Sequence, residues 1–479
     1  MPTASRLAEL TYLVPELSLL GTAALAMFAH LFLPRRGRRL AGFVSLAGYA
    51  AAAGLLVLMP RTHGEVFSGA LTADPFAVYF KLSFLLAAVL TVAFSFRFFD
   101  VEKSEPGEVY YLLPLSVIGM MAAASSVDLV TTYVAFELFA IPSYVLAGIF
   151  KKDDRSAEAG LKYFFLGTLS SGIMLLGMAL VFGLTGETGY REVAAVLASA
   201  NSRVALAGMA LFFAGLLFKA ALVPFHQWAP DVYEGAPTPL VVFLSTAPKA
   251  AAFALLIRAM SLLFGRFEVQ WTTLFSIVAV VSMFWGNIAA LLQKNVKRLL
   301  AYSSIAQAGT MAIGLAAWGE TGRPAVLFYV VVYVVMNAAA FGMVLLVRKG
   351  AGFGETVEDF RGLARKSPLA AFSVLVILLS LTGIPPTAGF MGKYFLFAAA
   401  VNRGLVLLAL AGAVNSVISL FYYFRIGRAM FLEDDPAGAP LDSAPNPRLL
   451  LAAAALVLLV LGFFPSLLGR FAAAAVLAR

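Results

Sequence analysis

Four ionisable side chains stand deep inside apolar runs of this sequence. They are Glu137 in Val134-Ala-Phe-Glu-Leu-Phe-Ala-Ile-Pro142, Lys219 in Phe218-Lys-Ala-Ala-Leu-Val-Pro-Phe-His226, Lys249 directly after Pro248, and Lys393 in Gly389-Phe-Met-Gly-Lys393. A charge at mid-membrane depth costs roughly 2.5–3.5 kcal/mol on insertion scales, so each of these must pair, lose its charge or face water. A lysine there holds its proton only as firmly as its neighbours allow, and its protonation can switch as a carboxylate or a water approaches. That is the chemistry of a proton relay, with Glu137 as the natural counter-charge. His226, beside Pro224, carries an imidazole of ordinary pKa about 6.5, able to pass protons between lysines or simply to make one structural hydrogen bond. Lys162 and Lys81 also fall inside apolar runs; Lys81 is expected to snorkel or to form a structural pair, and Lys162 to serve structure or relay. Glu16 lies near the end of the first run and is expected at the interface.

The elements that hold these groups follow from composition. The chain has 479 residues, 61% hydrophobic and 13% charged, with a mean hydropathy of +0.90. Runs of about 20 apolar residues recur, each long enough to cross a hydrocarbon core as a helix. Breaking the chain at charge clusters and Pro/Gly turns gives spans at 12–33, 40–59, 74–99, 109–125, 127–149, 157–184, 203–228, 237–262, 272–293, 299–317, 324–348, 369–401, 404–431 and 449–472. An all-α integral membrane protein of about fourteen transmembrane helices is therefore expected. The cluster Arg35, Arg36, Arg38 and Arg39 follows the first run instead of preceding it, so that run reads as a retained helix and not a signal peptide. Lys and Arg in or beside the loops after odd-numbered spans outnumber those beside the remaining loops and termini by about two to one, which places the odd loops in the cytoplasm and both termini on the periplasmic side.

The same composition narrows the function. With no cysteine, the chain has no disulfide, thiolate zinc, iron–sulfur ligation or c-type haem attachment. The histidines, His30, His63 and His226, are too few and too scattered for the paired axial ligands of a membrane haem. The net charge of +9 records topology, and nucleic acid is not an expected partner. No GxxxxGK[ST] occurs, so no nucleotide site is read from the sequence.

Two spans are interrupted next to a lysine: the seventh at Lys219-Ala-Ala-Leu-Val-Pro224 and the twelfth at Gly383-Ile-Pro-Pro-Thr-Ala-Gly-Phe-Met-Gly-Lys393. Proline removes a helix hydrogen bond and clashes with the preceding turn, and the freed backbone is tolerated at membrane depth only where protein or a hydrated cavity surrounds it. Helices seven and twelve cross in opposite directions, with the lysine before the break in one and after it in the other. This is read as an inverted-topology repeat with a transport pathway at the repeat interface.

The run Lys219-Ala-Ala-Leu-Val-Pro-Phe-His-Gln-Trp-Ala-Pro-Asp-Val-Tyr-Glu-Gly-Ala-Pro-Thr-Pro239, the stretch Ala247-Pro-Lys-Ala-Ala-Ala-Phe-Ala254, and Asn295-Val-Lys-Arg-Leu-Leu-Ala-Tyr-Ser-Ser-Ile-Ala-Gln307 resemble the antiporter-like subunits of bacterial respiratory complex I. The resemblance covers nearly the whole chain. Pro230-Asp-Val-Tyr-Glu-Gly235 and Glu158-Ala-Gly-Leu-Lys-Tyr163 are similar to the N type, where the L and M types typically show Pro-Asp-Ala at the first of these, and Lys393 stands where the M type usually has glutamate. It implies two inverted five-helix repeats, at about 109–262 and 272–431, with discontinuous helices 7 and 12 and flanking helices at 12–99 and 449–472. It implies Glu137 and Lys219 as the coupled pair of the inner half-channel, Lys249 as central relay and Lys393 as terminal lysine, with Lys162 modulating Lys219 and His226 connecting it toward Lys249. It also implies a proton-pumping, non-redox subunit in the bacterial inner membrane, binding no cofactor itself, with NADH, FMN, iron–sulfur clusters and quinone handled elsewhere in the complex. Its implied partners are the lipid bilayer, antiporter-like subunit M on one side and small subunits K and J on the other. The rival readings are a subunit of a multi-subunit Mrp-type cation/proton antiporter, which runs without redox chemistry, and a purely structural role with the lysines in static pairs.

Overall fold

The computed structural model of the chain describes residues 9–33, 39–58, 64–102, 106–199, 203–350, 352–435, 441–442 and 444–476. Arg35, Arg36 and Arg38 of the basic cluster, and His63, lie outside the described residues. Among those described, thirteen helices are long and apolar enough to cross a membrane, from Thr11–Phe32 to Pro445–Phe463. The expected twelfth span takes the form of two shorter helices, Pro368–Thr382 and Ala388–Asn402. Among the described residues, strands form two small antiparallel hairpins, Gly64–Val66 with Leu71–Ala73 and Arg348–Lys349 with Gly352–Phe353.

Polar side chains start several helices where the chain turns back. The Asp128 carboxylate accepts from the Thr131 amide at 2.8 Å ahead of Leu129–Ala147, and the Asn295 side chain accepts from the Arg298 amide at 3.0 Å ahead of Val296–Ala316. Each satisfies one of the amides that a helix N-terminus leaves open. The central layer is made by Thr238–Leu263, Val296–Ala316 and Gly322–Leu346, whose apolar stretches are almost wholly enclosed by protein, while Pro445–Phe463 and Thr11–Phe32 present most of their surface outward. Lys249 belongs to this enclosed layer. Its side chain therefore has no lipid or solvent to reach.

The eighth span departs from the uninterrupted helix expected at 237–262. Thr238–Leu244 ends at Ser245, Ala247–Arg258 resumes, and Ala259–Leu263 continues as a π-helix. The cause is Pro248, whose ring would collide with the Leu244 carbonyl four residues back in a continuous helix. The seventh span likewise stops earlier than expected, at Ala220, and resumes as Trp228–Gly235.

Glu16, expected at the interface near the end of the first helix, is enclosed by protein there. It is buried at 6% exposure and forms an ion pair with Lys81 at 2.6 Å, off the hydrogen-bond direction. A second buried pair is Arg258, whose guanidinium is fully enclosed and forks onto Asp74 at 2.9 and 3.1 Å while also donating to the Ala124 carbonyl at 2.9 and 2.6 Å.

Glu268–Leu291 and Val296–Ala316 form the most extensive helix pair in the protein. Small residues let their backbones approach: a Cβ on Gly286 would lie 2.7 Å from both the Ala306 nitrogen and the Tyr302 oxygen. Gly286→Val is expected to cost about 1–3 kcal/mol by overpacking, seen as lower thermal retention in the membrane, whereas Gly54→Val, which faces open space, leaves it unchanged. Equal retention for the two variants would contradict the packing described.

Candidate functional site

The two interrupted helices end in the same way. After Ala220, the Leu222 amide donates to the Leu217 carbonyl and the Ala221 amide to the Phe218 carbonyl, both at 2.9 Å; after Thr382, the Ile384 amide donates to Leu379 at 3.0 Å and the Gly383 amide to Ser380 at 3.1 Å. This paired bonding requires a left-handed residue just past the helix, and Ala221 (φ 55°) and Gly383 (φ 88°) supply it. In each case a proline follows three residues on, Pro224 and Pro386. Both helices thus stop at mid-chain depth with their last carbonyls directed into the protein.

Lys219 occupies the last turn of the first of these helices and is completely buried. Its ammonium donates to the hydroxyls of Tyr144 at 3.3 Å and Tyr163 at 3.4 Å. The rings of Tyr144 and Tyr163 lie 4.4 and 4.7 Å away, and those of Phe136 and Phe139 5.5 and 5.6 Å. Ring faces attract a cation by about 2 kcal/mol or more when desolvated, which is what stands in here for a carboxylate. Glu137 lies between Phe136 and Phe139 on Leu129–Ala147, and its side chain is half-buried. Its Oε1 is buried without a hydrogen-bond partner, and no ion pair joins it to Lys219 among the described residues.

Lys162 sits at the protein surface end of this group, half exposed, bridging Glu158 at 2.7 Å and Asp231 at 2.8 Å. Asp231 is shared: it also pairs with Arg298 at 2.8 Å, and Arg298 with Glu234 at 2.9 Å. Burial opposes ionisation of Asp231, but the hydrogen bonds from Lys162 and Arg298 outweigh it and hold the carboxyl below the usual carboxylate range. His226 is buried, packs edge-on against Trp285 at 5.7 Å between centroids, and leaves Nδ1 without a partner. It makes no hydrogen bond to Lys219 or Lys249 among the described residues.

Lys249 is fully buried at the start of Ala247–Arg258 and donates to both oxygens of Ser304, at 3.0 Å to the carbonyl and 2.9 Å to Oγ. Between Lys219 and Lys249 stand three aromatic side chains: Tyr163 stacks on Trp228 at 4.4 Å, Trp228 meets Tyr233 edge-on at 5.6 Å, and the Tyr233 ring lies 5.9 Å from the Lys249 ammonium. Beyond Lys249 the connection is polar. Three residues after Ser304, Gln307 donates to the Leu381 carbonyl at 2.7 Å and accepts from Tyr329 at 2.6 Å. The same Leu381 carbonyl accepts from Lys393 at 3.1 Å, and Lys393 also donates to Thr382 at 2.9 Å and Ser416 at 3.3 Å. Lys393 therefore reaches back across the break to the terminal carbonyls of Pro368–Thr382, the end at which a helix favours a cation.

Lys219 and Lys249 are thus separated by an aromatic partition, and Lys249 and Lys393 are each tied to Val296–Ala316, through Ser304 and through the carbonyl that Gln307 shares, while Glu137 makes no hydrogen bond or ion pair with them among the described residues. Ser304, Gln307 and the Tyr163–Trp228–Tyr233 stack went unseen in the sequence, because uncharged polar and aromatic residues are too common in membrane helices to stand out. Among the described residues, no three His, Cys, Asp or Glu side chains converge as a metal site would require.

Over residues 126–419 the chain matches the family described as NADH:quinone oxidoreductase/Mrp antiporter, TM. It is 41% identical to the NADH-quinone oxidoreductase subunit N of Trichlorobacter lovleyi, an alignment covering 98% of this chain and 97% of that one. It is similar to a chain of respiratory complex I from Thermus thermophilus, solved with bound aureothin, with a TM-score of 0.80 and 35% identity over 95% of this chain and 99% of the other. A chain of the Mrp complex from a Dietzia species shares the fold at a TM-score of 0.81, with 22% identity over 99% and 97% of the two chains.

A Cβ on Gly383 would lie 2.8 Å from Lys393 Cδ. Gly383→Ala is therefore expected to displace this lysine in addition to the roughly 1–2 kcal/mol that a left-handed conformation costs an L-residue, while Ala221→Gly at the corresponding turn is neutral or stabilising. Thermal retention of the two variants in membranes tests this; equal behaviour would show that Lys393 does not depend on the close contact.

Proposed function

Because the chain belongs to the NADH:quinone oxidoreductase/Mrp antiporter transmembrane family and, within it, groups with NADH-quinone oxidoreductase subunit N, we propose that it moves protons across the membrane as a non-redox subunit of that enzyme complex. The observation that carries this reading is the row of three buried lysines, none held by a carboxylate among the described residues. A static scaffold would neutralise each ammonium with an acid, as Lys81 and Arg258 are neutralised. An ammonium held by hydroxyls and carbonyls keeps its position in either protonation state, since the same oxygens can accept from –NH2.

In the proposed cycle an electrostatic change reaches Glu137 from a neighbouring subunit and alters the balance at Lys219. Lys219 gives up its proton past the aromatic partition toward Lys249, with His226 and Lys162 acting on Lys219 from its flanks. Lys249 hands a proton along the Ser304 and Gln307 segment to Lys393, and Lys393 exchanges with the outer side. Oxidation of NADH through FMN and iron–sulfur clusters, and reduction of quinone, take place in other subunits. The repeats at about 109–262 and 272–431 are proposed to be related by inversion, supported by the matching helix ends at 217–222 and 379–384. The proposed setting is a bacterial inner membrane with both termini periplasmic, between subunit M on one side and subunits K and J on the other.

The test uses inverted membrane vesicles carrying the whole complex, with assembly confirmed by blot. Lys219→Ala is expected to depress NADH oxidation and proton uptake together, by about tenfold or more, the scale on which a lost proton-transfer group acts. Unchanged rates of both in an assembled complex would sink the proposal, and sodium-driven proton exchange by the same vesicles would then support the Mrp-type reading.

A further inference from the structure

Lys297 is a buried cation to which the cycle above gives no task. It lies in the first turn of Val296–Ala316, its side chain is 4% exposed, and its ammonium donates to the Ala236 carbonyl at 2.9 Å and to Glu355 at 3.1 Å. It forms part of the wall of a cavity of about 130 Å³ whose other walls include Glu102, Asp153, Glu234, Thr238 and Glu355. These residues come from the connections and helix ends that follow the third, fifth, seventh, ninth and eleventh spans, all at the face assigned to the cytoplasm by the charge bias. Glu102 and Asp153 are exposed and Glu234 and Glu355 half-buried, so the cavity opens to water on one side and is floored by an enclosed lysine on the other.

Two helices lead inward from this floor to Lys249. On Val296–Ala316, Ser304 lies seven residues beyond Lys297, two turns along the same face and about 10 Å deeper, and Ser304 holds Lys249. On Gly322–Gly342, Tyr333 faces Lys249, with its ring 6.0 Å from the ammonium, and Asn337 stands one turn nearer the cavity end. The Asn337 amide nitrogen reaches the Ser245 carbonyl at 3.4 Å, at the break in the eighth span, but its Oδ1 is fully buried with no partner. Buried amide oxygens are rarely left bare, and an ordered water is the usual partner in such a place. An unsatisfied acceptor thus marks the interval between a cavity-facing lysine and the central one.

We propose that a second proton inlet runs from this cavity through Lys297 and water held at Asn337 to Lys249, bypassing Glu137 and Lys219. The Lys297 ammonium releases one proton to the water chain, neutral Lys249 takes one from its far end, and the Lys297 amine is reprotonated from the cavity through Glu355 or hydronium. The inlet rests on the proton-translocating reading above and assigns the route by which the central lysine is refilled. It also gives Glu355 a part, as the carboxyl that touches Lys297 and the cavity at once.

The experiment again uses the complete complex in inverted vesicles, whose cytoplasmic face is outward. Lys297→Arg keeps the cation paired with Glu355 but cannot release its proton, so proton uptake is expected to fall about tenfold in an assembled complex. The chain has no cysteine of its own, so Asn337→Cys supplies a single thiol in this subunit, expected to be tagged by a small water-soluble thiol reagent added outside. Wild-type uptake by Lys297→Arg, or an untagged Asn337→Cys in an assembled complex, overturns the inlet. If Lys219→Ala is depressed in the same preparation, proton translocation stands and only the inlet falls; if Lys219→Ala is also unaffected, both fall. Should the arginine variant fail to assemble, the cysteine labelling decides alone.

Discussion

An ammonium inside a membrane protein must recover the solvation it has lost, and the way each one does so sorts the interior charges of this chain. Lys81 is met by Glu16 and Arg258 by Asp74, so these cations are neutralised and fixed, whereas Lys297 stands between the two kinds, paired with Glu355 but also donating to the Ala236 carbonyl in the wall of a cavity. Lys219, Lys249 and Lys393 are met by hydroxyls, ring faces and carbonyls, which stabilise a cation without cancelling its charge. Removing one partner of the first kind strands a buried charge. The second kind leaves proton occupancy adjustable at little structural cost. Burial alone does not separate the two groups; partner chemistry does.

The helix interruptions serve that same solvation. A continuous helix consumes its carbonyls internally and has none to offer a lysine. Ending Pro368–Thr382 inside the protein frees the Leu381 and Thr382 carbonyls, and Lys393 takes both. The Pro248 break opens the eighth span at Ser245, whose carbonyl is taken by Tyr333 at 2.7 Å. Val296–Ala316 then ties the parts together, since Ser304 holds one lysine and Gln307, three residues away, shares the carbonyl ligand of another. A shift of this single helix would be felt at both sites.

Much of this was legible in the sequence, for physical reasons. Lysines in apolar runs are costly enough that Lys219, Lys249 and Lys393 stand out unaided, and Pro224 and Pro386 mark where a helix has to stop. Other features were hidden. Arg258 lies near a span end, where an arginine ordinarily snorkels, and nothing local reveals that Asp74 and the Ala124 carbonyl wait for it. The Glu16–Lys81 pair was hidden in the same way. Pro248 lies eleven residues inside the expected span at 237–262, where a proline breaks a helix just as Pro224 and Pro386 do, but span limits drawn only at charge clusters and Pro/Gly turns ran through it. The neighbours of Lys219 come from two other helices, Leu129–Ala147 and Asp154–Thr185, so no spacing along the chain could assemble Tyr144, Tyr163, Phe136 and Phe139 around one ammonium.

The stack of Tyr163, Trp228 and Tyr233 has a further meaning. Three closely packed rings keep water out of the interval between Lys219 and Lys249, yet a thin layer of low polarisability transmits an electric field far better than water does. Such a layer behaves as the dielectric of a small capacitor: charge placed on one plate raises the energy of charge on the other well before any particle crosses. Under the proposed cycle, each lysine therefore senses the proton occupancy of the other across the partition. Storage and release become separate events, which is the condition for a device that must hold energy without dissipating it.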